Sequence, residues 1–245
     1  IVNQGGLNFE SVIHIRRDDS NFYPMLADFT GDGLTDLASY STSGTPANFH
    51  IAAGIGNNHF GPATLIPLST AGTIFPRDVN NDEHLDILSI GGHCIVKLNN
   101  GDGTFGSEID SGVGVLAGSR QPQTADVNND GNLDILWVRS IISNQPHFIN
   151  ISLGDGQGNF AQPYEVTTPA FLGGVWTGDL SGDGYPEIFC GIAAGIVGPL
   201  GFETVIVFPN NGDGTFGAYT VHAYELQPNF AGNVAGRTQT LPLAV

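Results

Sequence analysis

The sequence predicts an all-β fold made of five similar four-stranded units, and three observations predict it. An acidic nine-residue pattern recurs four times, starting at Asp28, Asp78, Asp126 and Asp179, so the starts lie 50, 48 and 53 residues apart. A Gly-rich turn ending in Phe follows each copy: GNNHFG (56–61), NNGDGTFG (99–106), GDGQGNF (154–160) and NNGDGTFG (210–217). Between these landmarks lie short runs rich in β-formers, and no stretch keeps a helical period. A repeat of about fifty residues means a solenoid, a propeller or an array. Four short strands per repeat is the blade of a β-propeller.

The elements follow in order. The third repeat shows them best, as QPQTADV (121–127), LDILWV (133–138), HFINISL (147–153) and QPYEV (162–166). The repeats span about 22–70, 71–115, 119–168 and 171–224, within a single domain over 1–245. Residues 1–15 read as the last part of a blade, with GGLNF as a fifth copy of the turn. Residues 226–245 read as the first part of one, with Gly232, Gly236 and Thr240 where the other repeats have acids. Joined, the two ends complete a fifth blade and close the ring, which removes exposed sheet edges. The rival arrangement is a fragment of a longer ring.

Composition narrows the function. Acids outnumber bases 24 to 7, for a net charge of −17. That field repels phosphate backbones, so nucleic acid is excluded as a partner and anionic membrane surfaces are poor ones. No run reaches the ~18 apolar residues of a membrane helix, so membrane insertion is not expected. The N-terminus lacks a charged segment followed by an apolar one, so no signal peptide is read there; a mature secreted chain looks the same. Cys94 and Cys190 lie in apolar strand-like runs and read as buried free thiols, with a bridge left open.

The acidic pattern is Asp-x-(Thr/Asn/Ser)-x-Asp-(Gly/Glu)-x-x-(Asp/Glu), and thirteen of the 24 acids fall inside its copies. Alternating oxygen side chains in a tight loop converge on one centre, and hard oxygen ligands suit Ca²⁺. The sixth position calls for positive φ, so Glu83 in the second copy predicts a strained residue. An EF-hand is ruled out, because its twelfth position needs Glu and holds Ser39, Ser89, Trp137 and Cys190. The plain alternative is four Asx-turns without metal.

These loops and turns resemble the FG-GAP or VCBS repeat, the calcium-loop blade of integrin α-subunit propellers and of many secreted microbial and fungal proteins. The resemblance implies up to four structural Ca²⁺. It places the first set of ligands at Asp28, Thr30, Asp32, the Leu34 carbonyl and Asp36. The second is Asp78, Asn80, Asp82, the His84 carbonyl and Asp86. The third is Asp126, Asn128, Asp130, the Asn132 carbonyl and Asp134. The fourth is Asp179, Ser181, Asp183, the Tyr185 carbonyl and Glu187, where Glu departs from the usual Asp.

Catalytic motifs are missing: there is no G-x-S-x-G, no H-E-x-x-H and no phosphate loop, and the seven His show no paired spacing. Sequence cannot pair the remaining acids across a sugar as a glycosidase requires. Binding has better support. Varied loops on the face opposite the acidic turns carry or adjoin Arg16, Asp18, Asp19, Tyr23, Tyr40, Arg120, Arg139, His147 and Trp176. Aromatic faces with fixed polar groups suit a sugar. Taken singly, Trp137 and Trp176 lie in strands and read as core. The apolar loop 191–202 could pack against another copy of the chain. Asn150 opens an N-glycosylation triplet. The resulting expectation is a secreted, non-enzymatic, calcium-stabilised lectin that binds carbohydrate or glycoprotein. The alternatives are a protein-adhesion propeller and a polysaccharide lyase or hydrolase.

Overall fold

The computed structural model describes residues 22–41, 47–57, 59–69, 72–114, 120–139, 147–169, 172–192, 202–225 and 238–240. Every element among them is a strand or a turn, and every strand pairing is antiparallel. The chain forms two compact units, residues 1–110 and 111–245. Each contains two sheets.

In the first unit, β1 (Phe22–Ala27), β2 (Asp36–Ser41), β3 (Ala47–Gly54) and β4 (Phe60–Leu68) form one sheet in sequence order. The second sheet is β5 (Gly72–Arg77), β6 (Asp86–Gly91), β7 (Cys94–Lys97) and β8 (Ile109–Asp110). Strand alternation puts Ala38, Tyr40, Phe49, Ile51, Ile66 and Leu68 on one face of the first sheet, packed with Ile74 and Ile87 of the second. The opposite face of the first sheet carries Leu26 and Leu65, which are 64% and 51% exposed.

The second unit repeats the plan. Its first sheet is β9 (Arg120–Ala125), β10 (Asp134–Arg139), β11 (His147–Ser152) and β12 (Tyr164–Thr168). Its second is β13 (Leu172–Gly178), β14 (Glu187–Ile192), β15 (Phe202–Phe208), β16 (Thr220–Glu225) and β17 (Thr238–Thr240). Leu136, Val138, Ile149 and Ile151 face Val175, Ile188, Cys190 and Ile206 in one core. Strand β10 is buried from Asp134 to Val138, so both its faces are covered. That is why LDILWV reads as a continuous apolar run instead of an alternating one.

Two details depart from the sequence expectation. Trp137 is buried as core, but Trp176 is 40% exposed. It lies on the face of β13 opposite Val175, with its ring stacked 6.2 Å from Phe189. Thr238–Thr240, read above as part of a separate closing blade, pairs instead with β16 through His222↔Thr240 and Tyr224↔Thr238. Edge strand β16 offers an unpaired row of N–H and C=O groups, and β17 occupies it. Residues 1–15 and the rest of 226–245 lie outside the described residues.

Both cysteines are buried, and neither is in a disulfide. Burial pushes the Cys190 thiol up to about 12. A thiol that cannot ionise is inert. The native protein is therefore expected to show no reactive thiol toward an aromatic disulfide at pH 8, and two after denaturation. One fast-reacting thiol in the native state would contradict this packing.

Candidate metal loops and the turns that lock them

Each acidic loop joins the first and second strands of a sheet. Its ninth residue opens the second strand and is buried in all four copies, as Asp36, Asp86, Asp134 and Glu187. The buried carboxylate is held by backbone N–H groups on two sides. Asp36 accepts from Phe29 at 2.8 Å and from Gly54 at 2.8 Å. Asp86 accepts from Val79 and Asn99, both at 2.8 Å. Asp134 accepts from Val127 at 2.8 Å and Gly154 at 2.9 Å. One end of each bridge is the second residue of the acidic loop; the other is the first residue of the Gly-rich turn, as Asn99 and Gly154, or Gly54, two residues before GNNHFG. The ninth-position acid therefore ties the two landmarks of the repeat together. Glu187 has one more methylene, and a single oxygen takes both the Leu180 and Ser181 N–H groups, at 2.6 and 3.1 Å.

The first and fifth positions are more open. Asp28 accepts from the Gly31 and Gly33 N–H groups at 2.8 and 2.9 Å, and Asp32 from Leu34 at 2.8 Å. The other copies repeat this scheme through Asp78, Asp126 and Asp179. The fourth and sixth positions have positive φ in every loop, between 58° and 91°. Three of those eight positions are not Gly: Asn81, Asn129 and Glu83, with Glu83 at φ 70°. A left-handed non-Gly residue costs roughly 1–2 kcal/mol. Glu83→Gly is therefore expected to raise stability by about 1 kcal/mol in urea unfolding, and a loss of stability would contradict this account.

Crowding of carboxylates shows in their acidity. Burial raises the Asp134 carboxyl to about 6; N–H donors from Gly154 and Val127 oppose this, and the charges of Asp130 and Asp126 add to it. Asp86 is raised in the same way, by burial first and then by Asp82 and Asp78. A divalent cation would relieve this repulsion. The donor chemistry also fits one: the side-chain oxygens at the first, third and fifth positions are hard ligands. Asn80 Oδ1, in the third position of the second loop, is buried with no hydrogen-bond partner. A buried acceptor left unpaired is costly, and a cation would satisfy it. Among the described residues, no three acidic, His or Cys side chains already converge at metal-ligand geometry. The loops are closed by their own N–H bonds, and filling them would exchange some of those bonds for ion contacts.

The Gly-rich turns lock neighbouring sheets within each unit. Asn99 donates from Nδ2 to the Phe29 carbonyl of the first sheet at 2.8 Å and to Leu85 of its own sheet at 3.0 Å. Asn210 does the same to Val127 at 2.9 Å and Pro186 at 3.0 Å. The residues of these clamps are not among those singled out above as functional. The signal was present, since the octapeptide NNGDGTFG stands unchanged in the second and fourth repeats. The turn's second Gly follows from the same contact. A Cβ on Gly103 would lie 3.0 Å from Thr30, and one on Gly214 would lie 3.1 Å from Asn128.

Tyr164 closes the second unit's contact by donating its hydroxyl to the Gly214 carbonyl. Burial, together with the charges of Asp134 and Asp213, raises this phenol to about 12. Its folded value lies above the unfolded value of about 10. Its contribution to stability is therefore complete below pH 10 and is lost as pH rises through 12. Tyr164→Phe should lower stability at pH 7 by about 1 kcal/mol. It should also remove one late-titrating tyrosine from an ultraviolet titration.

Of the residues expected to bind ligand, Arg120, Arg139 and His147 come to one end of the β9–β12 sheet, through the pairings Val138↔Arg120 and Arg139↔Phe148. Arg16, Asp18 and Asp19 lie outside the described residues. Arg120 begins β9, Arg139 ends β10 and His147 begins β11. Tyr23 and Tyr40 are cross-strand partners at the end of the first sheet away from its acidic loop, with rings stacked 5.0 Å apart. Tyr40 is buried, and burial is the main cause raising its phenol, against a hydrogen bond with the Ile74 backbone. It is a core residue that supports Tyr23, which is 46% exposed. Asn150 is 5% exposed in mid-strand, opposite Trp137 and Glu165. Alternation puts it on the face of β11 away from Ile149 and Ile151, where its amide is still buried, so the folded chain covers the side chain of the glycosylation triplet.

Sheets of four or five antiparallel strands, each with an acidic loop between its first two strands and a Gly-rich turn further on, define a class: a β-repeat protein with propeller-like blades. A family model described as FG-GAP-like repeat matches residues 28–89 and again 78–137, so the chain carries FG-GAP-like repeats. The curated proteins contain no match to it.

Proposed function

We propose that the protein is a secreted, calcium-stabilised, non-enzymatic carbohydrate-binding protein. Its four acidic loops hold up to four Ca²⁺, which neutralise clustered carboxylates and stiffen the sheet ends. Its sheets are the blades of a propeller, with residues 1–15 available to supply closing strands and Thr238–Thr240 extending the fourth sheet beside β16. The observation that carries the binding reading is Tyr23, an exposed ring held flat by its stack on buried Tyr40. A fixed aromatic face is the surface on which the C–H side of a sugar ring packs. The acids of the loops, in turn, are engaged with backbone N–H groups instead of facing one another as an acid–base pair.

A glycan array with the full chain in calcium tests this. Binding to a set of related glycans, weakened about tenfold by Tyr23→Ala, is expected. A flat array with specific capture of a protein would replace the lectin reading with protein adhesion. Falling viscosity of a polysaccharide solution over time would replace it with a degrading enzyme.

A further inference from the structure

The four Gly-rich turns align residue for residue over seven positions, from Gly54, Asn99, Gly154 and Asn210 to the four Phe residues. Their backbone hydrogen bonding agrees as well: Ile55, Asn100, Asp155 and Asn211 each donate to the carbonyl four residues on. Against that template the first turn is the exception. The others each carry an Asp, at Asp102, Asp155 or Asp213, and the first carries none. It has Asn57 in a left-handed conformation at φ 51°. Such strain in a non-Gly residue persists where the surroundings impose it, and it clusters at functional sites.

This turn borders a pocket of about 430 Å³ within the first unit, lined by Leu26, Leu34, Phe60, Thr35, Asn57 and His59 among others. The volume falls in the range of small-molecule sites, roughly 300–1,000 Å³. Leu26 and Leu34 are exposed, so the apolar wall is open to solvent. His59 Nδ1 lies 2.7 Å from the Asn57 carbonyl. A carbonyl only accepts, so Nδ1 carries a proton, and in the neutral imidazole Nε2 is then the acceptor. Among the described lining residues the side chains are apolar or uncharged polar apart from this imidazole, on a chain of net charge −17. Side chains of that kind are complementary to an uncharged ligand.

We infer that this pocket binds one uncharged sugar ring, packed by its C–H face on Leu26, Leu34 and Phe60. A ring hydroxyl donates to His59 Nε2, and Thr35 and Asn57 supply further polar contacts. The inference rests on the carbohydrate-binding reading and adds a second site to it, at the end of the first sheet opposite Tyr23.

The test uses calorimetric titration of the intact chain in calcium with neutral methyl glycosides, alongside His59→Ala, Leu26→Asp and Tyr23→Ala. Both substituted pocket residues are at the surface, so folding is expected to survive. His59→Ala should weaken one binding event about five- to tenfold, the effect of one lost hydrogen bond. Leu26→Asp should weaken the same event, and Tyr23→Ala should leave it unchanged. Sugar binding that responds to Tyr23→Ala alone overturns the pocket and leaves the lectin reading intact. No binding by any glycoside or array glycan overturns both. Unchanged sugar affinity with a melting temperature lowered by several degrees in both pocket variants also overturns it, and assigns the pocket to a segment of the chain itself.

Discussion

Excess EDTA is expected to lower the melting temperature of this protein by at least about 10 °C, and added Ca²⁺ to restore it. The expectation follows from charge and mass action. Thirteen of the 24 acids sit in four loops, where backbone N–H groups supply partial counter-charge. An ion that binds only the folded loop stabilises it by about 2.7 kcal/mol per site at a hundredfold excess over Kd. For a chain of this size each kcal/mol is worth roughly 2–4 °C. Four sites acting together exceed 10 °C even if two are weak. Mg²⁺ should restore less, because it sheds water reluctantly and demands a stricter octahedron. An unchanged melting temperature would leave the loops as hydrogen-bonded turns.

The second large effect is Asp134→Ala, expected to cost about 3–5 kcal/mol in urea unfolding even with EDTA present. Asp134 is buried and its oxygens hold the Val127 and Gly154 N–H groups. Removing it strands two buried donors, at roughly 1–3 kcal/mol each, and opens a small void. Asp134→Asn keeps one acceptor and should fall between the two. Asp32→Ala is the contrast. Asp32 is exposed and accepts one N–H, from Leu34. Its loss should cost at most about 1 kcal/mol in EDTA, and in calcium it should cost the stabilisation of a whole site. Equal effects of Asp134→Ala and Asp32→Ala in EDTA would contradict this division of labour.

That division was only half legible in the sequence. The spacing of acids located each loop and its strands, because a periodic pattern of Asp and Gly is a local signal. It could not separate the ninth-position acid from the others. All read as oxygen donors, and burial is decided by the strand that the ninth residue begins. The strain at Glu83 was legible, since a bend that needs positive φ was filled by a residue that resists it. The clamps of Asn99 and Asn210 were not, because their partners Phe29 and Val127 lie 70 and 83 residues away. Trp176 read as core by residue type, and its exposure depends on what covers the outer face of its sheet. The burial of Asn150 was illegible for a similar reason: a three-residue motif carries no information about what covers its side chain. The empty space beside the first turn left a trace only by comparison, in the missing Asp and the His that replaces Thr or Asn.

The most direct test of the central claim, that the acidic loops are cation sites, is the calcium content of the purified chain after dialysis against calcium and then metal-free buffer. Elemental analysis should give close to four ions per chain, falling by one in Asp28→Ala, in Asp126→Ala and in Asp179→Ala. Fewer than one ion per chain, with no binding in a titration up to millimolar calcium, would contradict the account and leave four self-bonded turns.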